Sequence, residues 1–217
     1  MTDSGTQQRI TRVLDILRGK ITNLAHADNY ALLSVLNPEG VVLHHMAGTL
    51  SGTDTWFAMG RAQRQEANDR LWRQQKMAGS PPRAFVSSAH AGVGGIMTLD
   101  GLTRISTYVP ANRIAYHAGG ALRPGVTRNP NTHMLGIEHE STPANAVAQE
   151  ITSAIIIAVW SIRYVFAINE KTIVPHSALS NTACPGQLDV ASITRRAAAL
   201  AVTIRNDATL YERAMTM

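Results

Sequence analysis

An apolar stretch at residues 151–162 is the feature that most limits the folds open to this sequence. It is bounded by Glu150 and Arg163 and contains five isoleucines. A helix needs about 20 apolar residues to cross a bilayer, so this stretch is too short to span one. A folded domain must bury it instead. We therefore predict a long apolar helix at 145–168 in the protein core, with no stable membrane insertion.

Helical and alternating patterns surround this helix and predict a mixed α/β fold. Further helices are predicted at 6–26, 53–77 and 188–201. Short apolar or alternating runs predict strands at 30–36, 41–46, 85–90, 94–99, 103–109 and 134–138. Turn signals lie at 37–40 and 100–101, and a loop is predicted at 118–131. Because no repeat or linker is visible, we expect one domain, residues 1–217, with a central mixed β-sheet flanked by helices.

The composition excludes several classes of protein. Hydrophobic residues make up 45% of the chain and charged residues 16%, which is typical of a folded protein rather than a disordered one. The formal net charge of +5 favours anionic partners, but the basic residues are scattered, so we expect no nucleic-acid partner. The single cysteine, Cys184, excludes an intramolecular disulfide. The start of the chain lacks the pattern of a signal peptide, which predicts synthesis in the cytoplasm without one.

Three residues have the chemistry of a zinc site: His44 at the end of a predicted strand, and His176 and Cys184 within one loop. Zinc binds histidine nitrogen and cysteine thiolate, and a catalytic site keeps a fourth position open for water. The loop is long enough to fold back so that both of its side chains meet one ion. By spacing alone each residue has an alternative. His44 could be a hydrogen-bonded core histidine, His176 a capping or surface histidine, and Cys184 an inert buried cysteine.

Glu138, at the end of the predicted strand 134–138, is the candidate general base. A carboxylate in a buried segment is costly unless it is paired or takes part in chemistry. Beside a metal it would take a proton from water and return it to a leaving amine. The alternative is a structural carboxylate that pairs with Arg113 or Arg128.

Four segments in order resemble the zinc-dependent N-acetylmuramoyl-L-alanine amidases, a family that includes phage endolysins, bacterial muropeptide amidases and animal peptidoglycan-recognition proteins. The segments are VVLHHMAG at 41–48, VSSAH at 86–90 followed by DG at 100–101, AYHAG at 115–119 followed by Asn131 and LGIE at 135–138, and HSALSNTACPG at 176–186. They cover roughly residues 38–200, which the resemblance makes the catalytic core. Residues 1–30 are then an N-terminal helical extension.

The resemblance implies a role for most of the residues in these segments. It implies that one zinc ion (Zn2+) is held by His44, the first histidine of the pair at 44–45, together with His176 and Cys184. It also implies that Glu138 is the catalytic carboxylate and that Thr182 helps to stabilise the oxyanion. For Thr182 the alternative is a hydrogen bond to the backbone of its own loop.

Three further residues are implied to lie on the substrate side. His90, His117 and Asn131 match positions beside the metal or along the substrate groove, although structural hydrogen bonding suits the two histidines equally well. Ala91 and Tyr116 depart from the larger side chains that the family often has at these places. These departures change the expected shape of the groove and leave the metal site unaltered.

The resemblance thus implies a zinc hydrolase that cleaves the amide bond between N-acetylmuramic acid and L-alanine, with peptidoglycan or a muropeptide as its partner. The basic charge favours a phage endolysin, made in the cytoplasm and active on the cell wall after release. A cytosolic muropeptide-recycling amidase and a non-catalytic peptidoglycan-binding module are the alternatives. The presence of Cys184 favours an enzyme over the binding module.

Overall fold

The computed structural model describes residues 3–46, 48–75, 87–118, 122–140 and 146–217 and arranges them as alternating helices and strands. The helices are α1 (Ser4–Arg18), α2 (Leu50–Ala58), α3 (Arg61–Gln74), α4 (Ala146–Tyr164), α5 (Val190–Asn206) and α6 (Ala208–Met215). The strands are β1 (Tyr30–Val35), β2 (Gly40–His45), β3 (Ala91–Met97), β4 (Thr103–Thr107), β5 (Arg113–Ala115), β6 (Met134–His139) and β7 (Ile173–Pro175).

A five-stranded mixed sheet in the order β4-β3-β6-β2-β7 forms the centre of the fold. β6 pairs in parallel with β2 and β3, β7 pairs in parallel with β2, and β4 pairs antiparallel with β3. Parallel strands are covered on both faces, and accordingly Val41, Val42 and Leu43 are all fully buried. β1 and β5 form a separate antiparallel pair. The central mixed sheet confirms the predicted fold class.

The long apolar helix α4 covers one face of this sheet. Ile156, Ile157 and Val159 are fully buried and belong to the main hydrophobic core, which α1, α5 and α6 also enter. Burying one such side chain is worth about 1.5–3 kcal/mol. Among the helices of the described ranges, α4 alone is long and apolar enough to cross a membrane, yet 78% of its most apolar window is buried within the protein. The prediction of a core helix is confirmed.

Helix α1 packs on this core but is shorter than predicted. Its buried residues are Ile10, Val13 and Leu14. The helix ends at residue 18 rather than 26, with Gly19 as its C-terminal cap. Beyond it the chain runs beside β4, where the N–H of Asn23 donates to the carbonyl oxygen of Thr107 (3.0 Å). The apolar residues after Gly19 therefore belong to an extended segment that the helical spacing did not distinguish.

A separate short helix, α6, follows α5 near the end of the chain. The Asp207 side chain caps it by accepting from the N–H groups of Thr209 and Leu210, each at 3.1 Å. Leu210 and Ala214 are buried in the main core. The C-terminal segment is therefore part of the folded domain.

Several predicted boundaries were wrong for local reasons. The helix predicted at 53–77 is two helices, α2 and α3, which meet at Gly60, where a Cβ would lie 2.9 Å from Cε1 of His26. The strands predicted at 85–90 and 94–99 are replaced by β3, and residues 87–90 are not in a strand. The three-residue strands β5 and β7 were missed because such short strands carry little pattern. Residues 76–77, 85–86, 119–121 and 145 of predicted elements lie outside the described residues.

Val165, directly after α4, has φ of 57°, in the left-handed region that favours glycine. It is 82% exposed, so its side chain adds little packing. We expect Val165→Gly to raise the free energy of unfolding by about 1 kcal/mol, because it removes the strain of a β-branched residue there. Val202→Gly, at an exposed position inside α5, is the matched control and should lower that free energy by a few tenths of a kcal/mol. Urea unfolding measures both, and a less stable Val165 variant would contradict the assignment of strain.

Candidate metal centre and the cleft beside it

The carboxyl ends of three parallel strands meet at one edge of the central sheet and carry the candidate site. His44 of β2 is opposite Glu138 of β6 in the register of these strands. Leu43 is opposite Pro175 of β7, so His176 follows beside His44. Paired residues in neighbouring strands point to the same face of a sheet. The register therefore brings together three residues that are far apart in the sequence.

His44, His176 and Cys184 form the one cluster of potential metal ligands in the described part of the chain, with one ligand atom of each within 4.8 Å of the others. His44 Nδ1 lies 3.8 Å from the Cys184 Sγ. The loop closes through the N–H of Ser177, which donates to the carbonyl oxygen of Cys184 (2.8 Å). His176 Nε2 is buried and has no hydrogen-bond partner among the residues that the structure describes. Such orphaned atoms are rare in proteins, and a zinc ion would satisfy this one, so the donor set fits the metal.

The three candidate ligands are electrically neutral in the absence of a metal. Burial, followed by electrostatic coupling to His117 and His176, holds the pKa of His44 well below its usual value, and burial also lowers the pKa of His176. Burial raises the pKa of the Cys184 thiol to about 11, although the His45 N–H donates to its Sγ at 3.2 Å and opposes the shift. A metal bound here would therefore displace a single proton, that of the thiol.

Glu138 is half-buried and lines a cleft of about 380 Å³ next to this cluster. Burial raises its pKa to about 7. Neither arginine of the structural alternative pairs with it: Arg128 binds Glu39 at 2.8 Å, and no ion pair within the described ranges involves Glu138 or Arg113. A carboxyl with a pKa near neutrality both accepts and releases protons at neutral pH, which suits a general base and acid.

The cleft has one wall formed by α2 and the residues just before it. Thr49, Thr53 and Trp56 line this wall, and His45 also lines the cleft with an exposed side chain. From the sequence, neither Trp56 nor His45 was assigned to the candidate site. Both were missed as cleft residues, because no pattern in the sequence shows that α2 stands beside the end of β2.

Two charged side chains hold this wall in place. The buried Arg64 guanidinium donates to the carbonyl oxygens of Trp56 (2.9 Å) and Ser87 (3.0 Å). The Glu140 carboxylate accepts from the N–H of Leu50 at the start of α2 (3.2 Å). The hydrogen bonds of Arg64 and Glu140 to backbone groups thus fix α2 relative to β6. Because α2 forms the wall of the cleft, the cleft is preformed.

Thr182 lies in the loop that carries His176 and Cys184. Its Oγ1 accepts from the N–H of Cys184 at 3.2 Å, which is the backbone hydrogen bond that the sequence left open as an alternative. The same hydroxyl keeps its own hydrogen for donation. The oxyanion role predicted for Thr182 is compatible with this bond and stays a prediction.

The three residues predicted on the substrate side are buried, with exposed fractions of 1% for His90, 8% for His117 and 5% for Asn131. His90 Nδ1 accepts from the N–H of Gly136, and its Nε2 donates to the Arg113 carbonyl oxygen, both at 2.9 Å. Asn131 Oδ1 accepts from the N–H groups of His117 (3.0 Å) and of the residue after it (2.8 Å). These bonds favour the structural alternative for the two histidines, and substrate contact by the three residues stays a prediction.

His117 adjoins the candidate ligands directly. Its Nδ1 lies 3.1 Å from His44 Nε2, and its Nε2 lies 2.9 Å from the carbonyl oxygen of Met134. The ring occupies the space over Gly136, where a Cβ would lie 2.5 Å from the His117 Cγ. Burial, and then electrostatic coupling to His90, lowers the pKa of His117 to about 3, so the ring is neutral at neutral pH.

The raised pKa of Glu138 predicts a pH-dependent stability of the metal-free protein. A carboxyl whose pKa rises from 4.5 to about 7 on folding stabilises the fold at low pH, and this contribution is lost as the pH rises through the folded value. The parent should therefore lose stability between about pH 5 and about pH 8, whereas Glu138→Gln should not. The free energy of unfolding of the variant relative to the parent should rise over this range. Urea unfolding at both values tests this, with Glu39→Gln at an exposed site as control. A parent and a Glu138 variant that respond to pH alike would contradict it.

Comparison with known proteins places the chain in a family. The family profile Amidase_2, described as N-acetylmuramoyl-L-alanine amidase, matches residues 34–187. No curated protein sequence matches the chain. A mutant endolysin from Bacillus subtilis and the catalytic domain of XlyA each share 16% identity with it, over 81% of this chain and 96% of theirs, with a TM-score of 0.50. A selenomethionine derivative of AmpD shares 18% identity over 78% of this chain and 97% of that one, with a TM-score of 0.53. These structures share its fold, and because the profile covers most of its length, the chain belongs to the N-acetylmuramoyl-L-alanine amidase family.

Proposed function

We propose that the protein is a zinc hydrolase that cleaves the amide bond between N-acetylmuramic acid and L-alanine in peptidoglycan. Membership of the amidase family supports this reaction class. The observation that carries the proposal is the cluster of His44, His176 and Cys184, with the orphaned Nε2 of His176, beside a cleft that Glu138 lines. A three-ligand metal site and, in the cleft beside it, a carboxyl with a raised pKa are the two elements of metal-assisted amide hydrolysis.

Zinc held by these three side chains would supply a Lewis acid for the amide carbonyl and would lower the pKa of water. In our proposal Glu138 takes the proton of the attacking water. The same carboxyl then gives this proton to the nitrogen of L-alanine as the C–N bond breaks. A pKa near 7 suits both transfers, because neither protonation state of Glu138 is strongly favoured at neutral pH.

Thr182 and the cleft wall complete the proposed site. The hydroxyl of Thr182 donates its hydrogen to the oxyanion, while its Oγ1 stays bound to the Cys184 N–H. A neutral hydroxyl is a weaker donor than a charged group, so Thr182 would supply only part of the stabilisation of the oxyanion. Trp56 offers an apolar face to the substrate, and Thr49 and Thr53 offer hydroxyls.

We propose a phage endolysin as the biological role, with synthesis in the cytoplasm and action on the cell wall after release. Twenty lysine and arginine residues against 15 acidic residues give the net charge of +5. This charge would hold the enzyme on the anionic polymers of a bacterial wall. A recycling amidase would instead meet small soluble muropeptides, for which surface charge brings no such advantage.

Separate substitutions should divide metal binding from proton transfer. Cys184→Ser should lose stoichiometric zinc and activity, because a hydroxyl is a poor zinc ligand. Glu138→Gln should keep its zinc and lose turnover by about 10²- to 10⁴-fold, the usual contribution of a general acid–base group. Metal content by atomic absorption and release of L-alanine amino groups are measured on both variants. Full zinc in the Cys184 variant would overturn the ligand set, and unchanged turnover in the Glu138 variant would remove Glu138 from the mechanism.

The substrate's physical form tests the biological role. An endolysin should lower the turbidity of purified intact walls and expose new L-alanine amino groups, with a rate that falls as salt screens the basic charge. Activity on soluble muropeptides alone would overturn the endolysin role and favour recycling. Binding to walls without cleavage of either substrate by the zinc-loaded protein would overturn the amidase proposal and favour a binding module.

A further inference from the structure

We infer that His117 is a positioning residue that holds His44 in a single tautomer, with its proton on Nε2 and the lone pair of Nδ1 aimed at His176 and Cys184. The inference rests on the proposed metal site, in that His44 Nδ1 is the ligand atom. It assigns to His117 a task other than the substrate contact expected from the sequence. One line of hydrogen bonds runs from the Met134 carbonyl oxygen through His117 to His44.

The first step is the hydrogen bond between His117 and the backbone of β6. His117 Nε2 lies 2.9 Å from the carbonyl oxygen of Met134. A carbonyl oxygen only accepts, so Nε2 of His117 must carry the hydrogen. A neutral imidazole has one N–H and one lone pair. The lone pair of His117 is therefore on Nδ1.

The second step transfers this constraint to His44. His117 Nδ1 lies 3.1 Å from His44 Nε2, with the two rings nearly perpendicular at 83°. Because Nδ1 of His117 is an acceptor, Nε2 of His44 has to donate and carries the proton. The remaining nitrogen, Nδ1, lies 3.8 Å from the Cys184 Sγ and presents its lone pair to the cluster. In metal sites the partner of the distal nitrogen commonly fixes the ligand's tautomer and orientation.

The third step is that the position of the His117 ring is itself fixed from several sides. Asn131 Oδ1 accepts from the backbone N–H of His117, and the missing side chain of Gly136 leaves the space that the ring fills. His90 stands next to it, with ring centroids 5.7 Å apart. The ring is 8% exposed, so solvent and substrate have little access to it. Such a ring is better placed to hold a ligand than to recognise a substrate.

A pair of substitutions separates the two hydrogen bonds of His117. In asparagine the side-chain oxygen lies as many bonds from Cα as Nδ1 does in histidine, so His117→Asn keeps an acceptor for His44 and loses the bond to Met134. In glutamine the amide lies where Nε2 was, so His117→Gln keeps Met134 and loses His44. His133→Gln is the matched control, since His133 precedes β6 and its ring Nδ1 lies 3.1 Å from the carbonyl oxygen of Asn129.

Zinc affinity, measured by competition with a chelating dye, is the first readout. We expect His117→Gln to weaken zinc binding by about 10- to 100-fold, the usual effect of removing a group that orients a ligand. His117→Asn and His133→Gln should stay close to the parent, and thermal unfolding should show all three folded. Equal zinc affinity in parent and His117→Gln would overturn the inference. Equal losses in the Asn and Gln variants would also overturn it, because the ring would then only fill space.

Imidazole nitrogen NMR of the unsubstituted, metal-free protein is the second readout and needs no variant to fold. It should show His44 with its proton on Nε2 and His117 with its proton on Nε2. A His44 proton on Nδ1 would overturn the inference even if the zinc site itself is correct. Conversely, a parent that binds no zinc but shows these tautomers would refute the proposed function while leaving the tautomer assignment intact.

Discussion

The parallel pairing of β2 with β6 and β7 is the constraint on which the site depends. Its register sets His44 opposite Glu138 and delivers the chain from Pro175 to His176 at the same edge of the sheet. In a parallel pair a slip of one residue would turn a side chain to the opposite face. The register is held by side chains such as Leu43 and Ile137, which face the core beneath α4. Hydrophobic burial on one face of the sheet thus determines the chemistry presented on the other.

Several histidines at this site are buried, and hydrogen bonds to the backbone determine which of their ring nitrogens carries the proton. Burial lowers the pKa values of His90 and His139 to about 4 each, so these rings are neutral. Burying a polar ring is costly unless both nitrogens are bonded, and backbone groups supply the partners except at His139 Nε2, which is bonded to the Ser153 hydroxyl. His90 lies between the Gly136 N–H and the Arg113 carbonyl oxygen. His139 Nδ1 donates to the carbonyl oxygen of His44 at 2.7 Å, so both backbone and ring of the candidate ligand are held.

Much of the fold was predictable from the sequence because its strongest signals are local. The apolar runs that form α4 and β2 are long enough for the sequence pattern to indicate a buried helix and a buried strand. The pairing of His44 with Cys184 was also proposed, but from ordered motifs rather than from spacing, since 140 residues separate them. The tertiary contacts could not be derived. Gly60 caps the start of α3 where a Cβ would meet His26, and neither this contact nor the position of Trp56 at the cleft is visible in the sequence.

The glycines of β3 and β6 show why local patterns fail at the site itself. Glycine inside a strand costs roughly 0.5–1 kcal/mol relative to alanine, so strand propensity alone argues against Gly92 and Gly136. On the face that carries the site, however, a Cβ at Gly92 would lie 2.4 Å from the Tyr108 hydroxyl, and one at Gly136 would overlap His117. These glycines lower the stability of the strands, but they leave room for polar side chains from other parts of the chain to pack against the sheet. Because His117 reaches His44 only across this space, the local weakness of β6 is a condition for the geometry of the candidate metal centre.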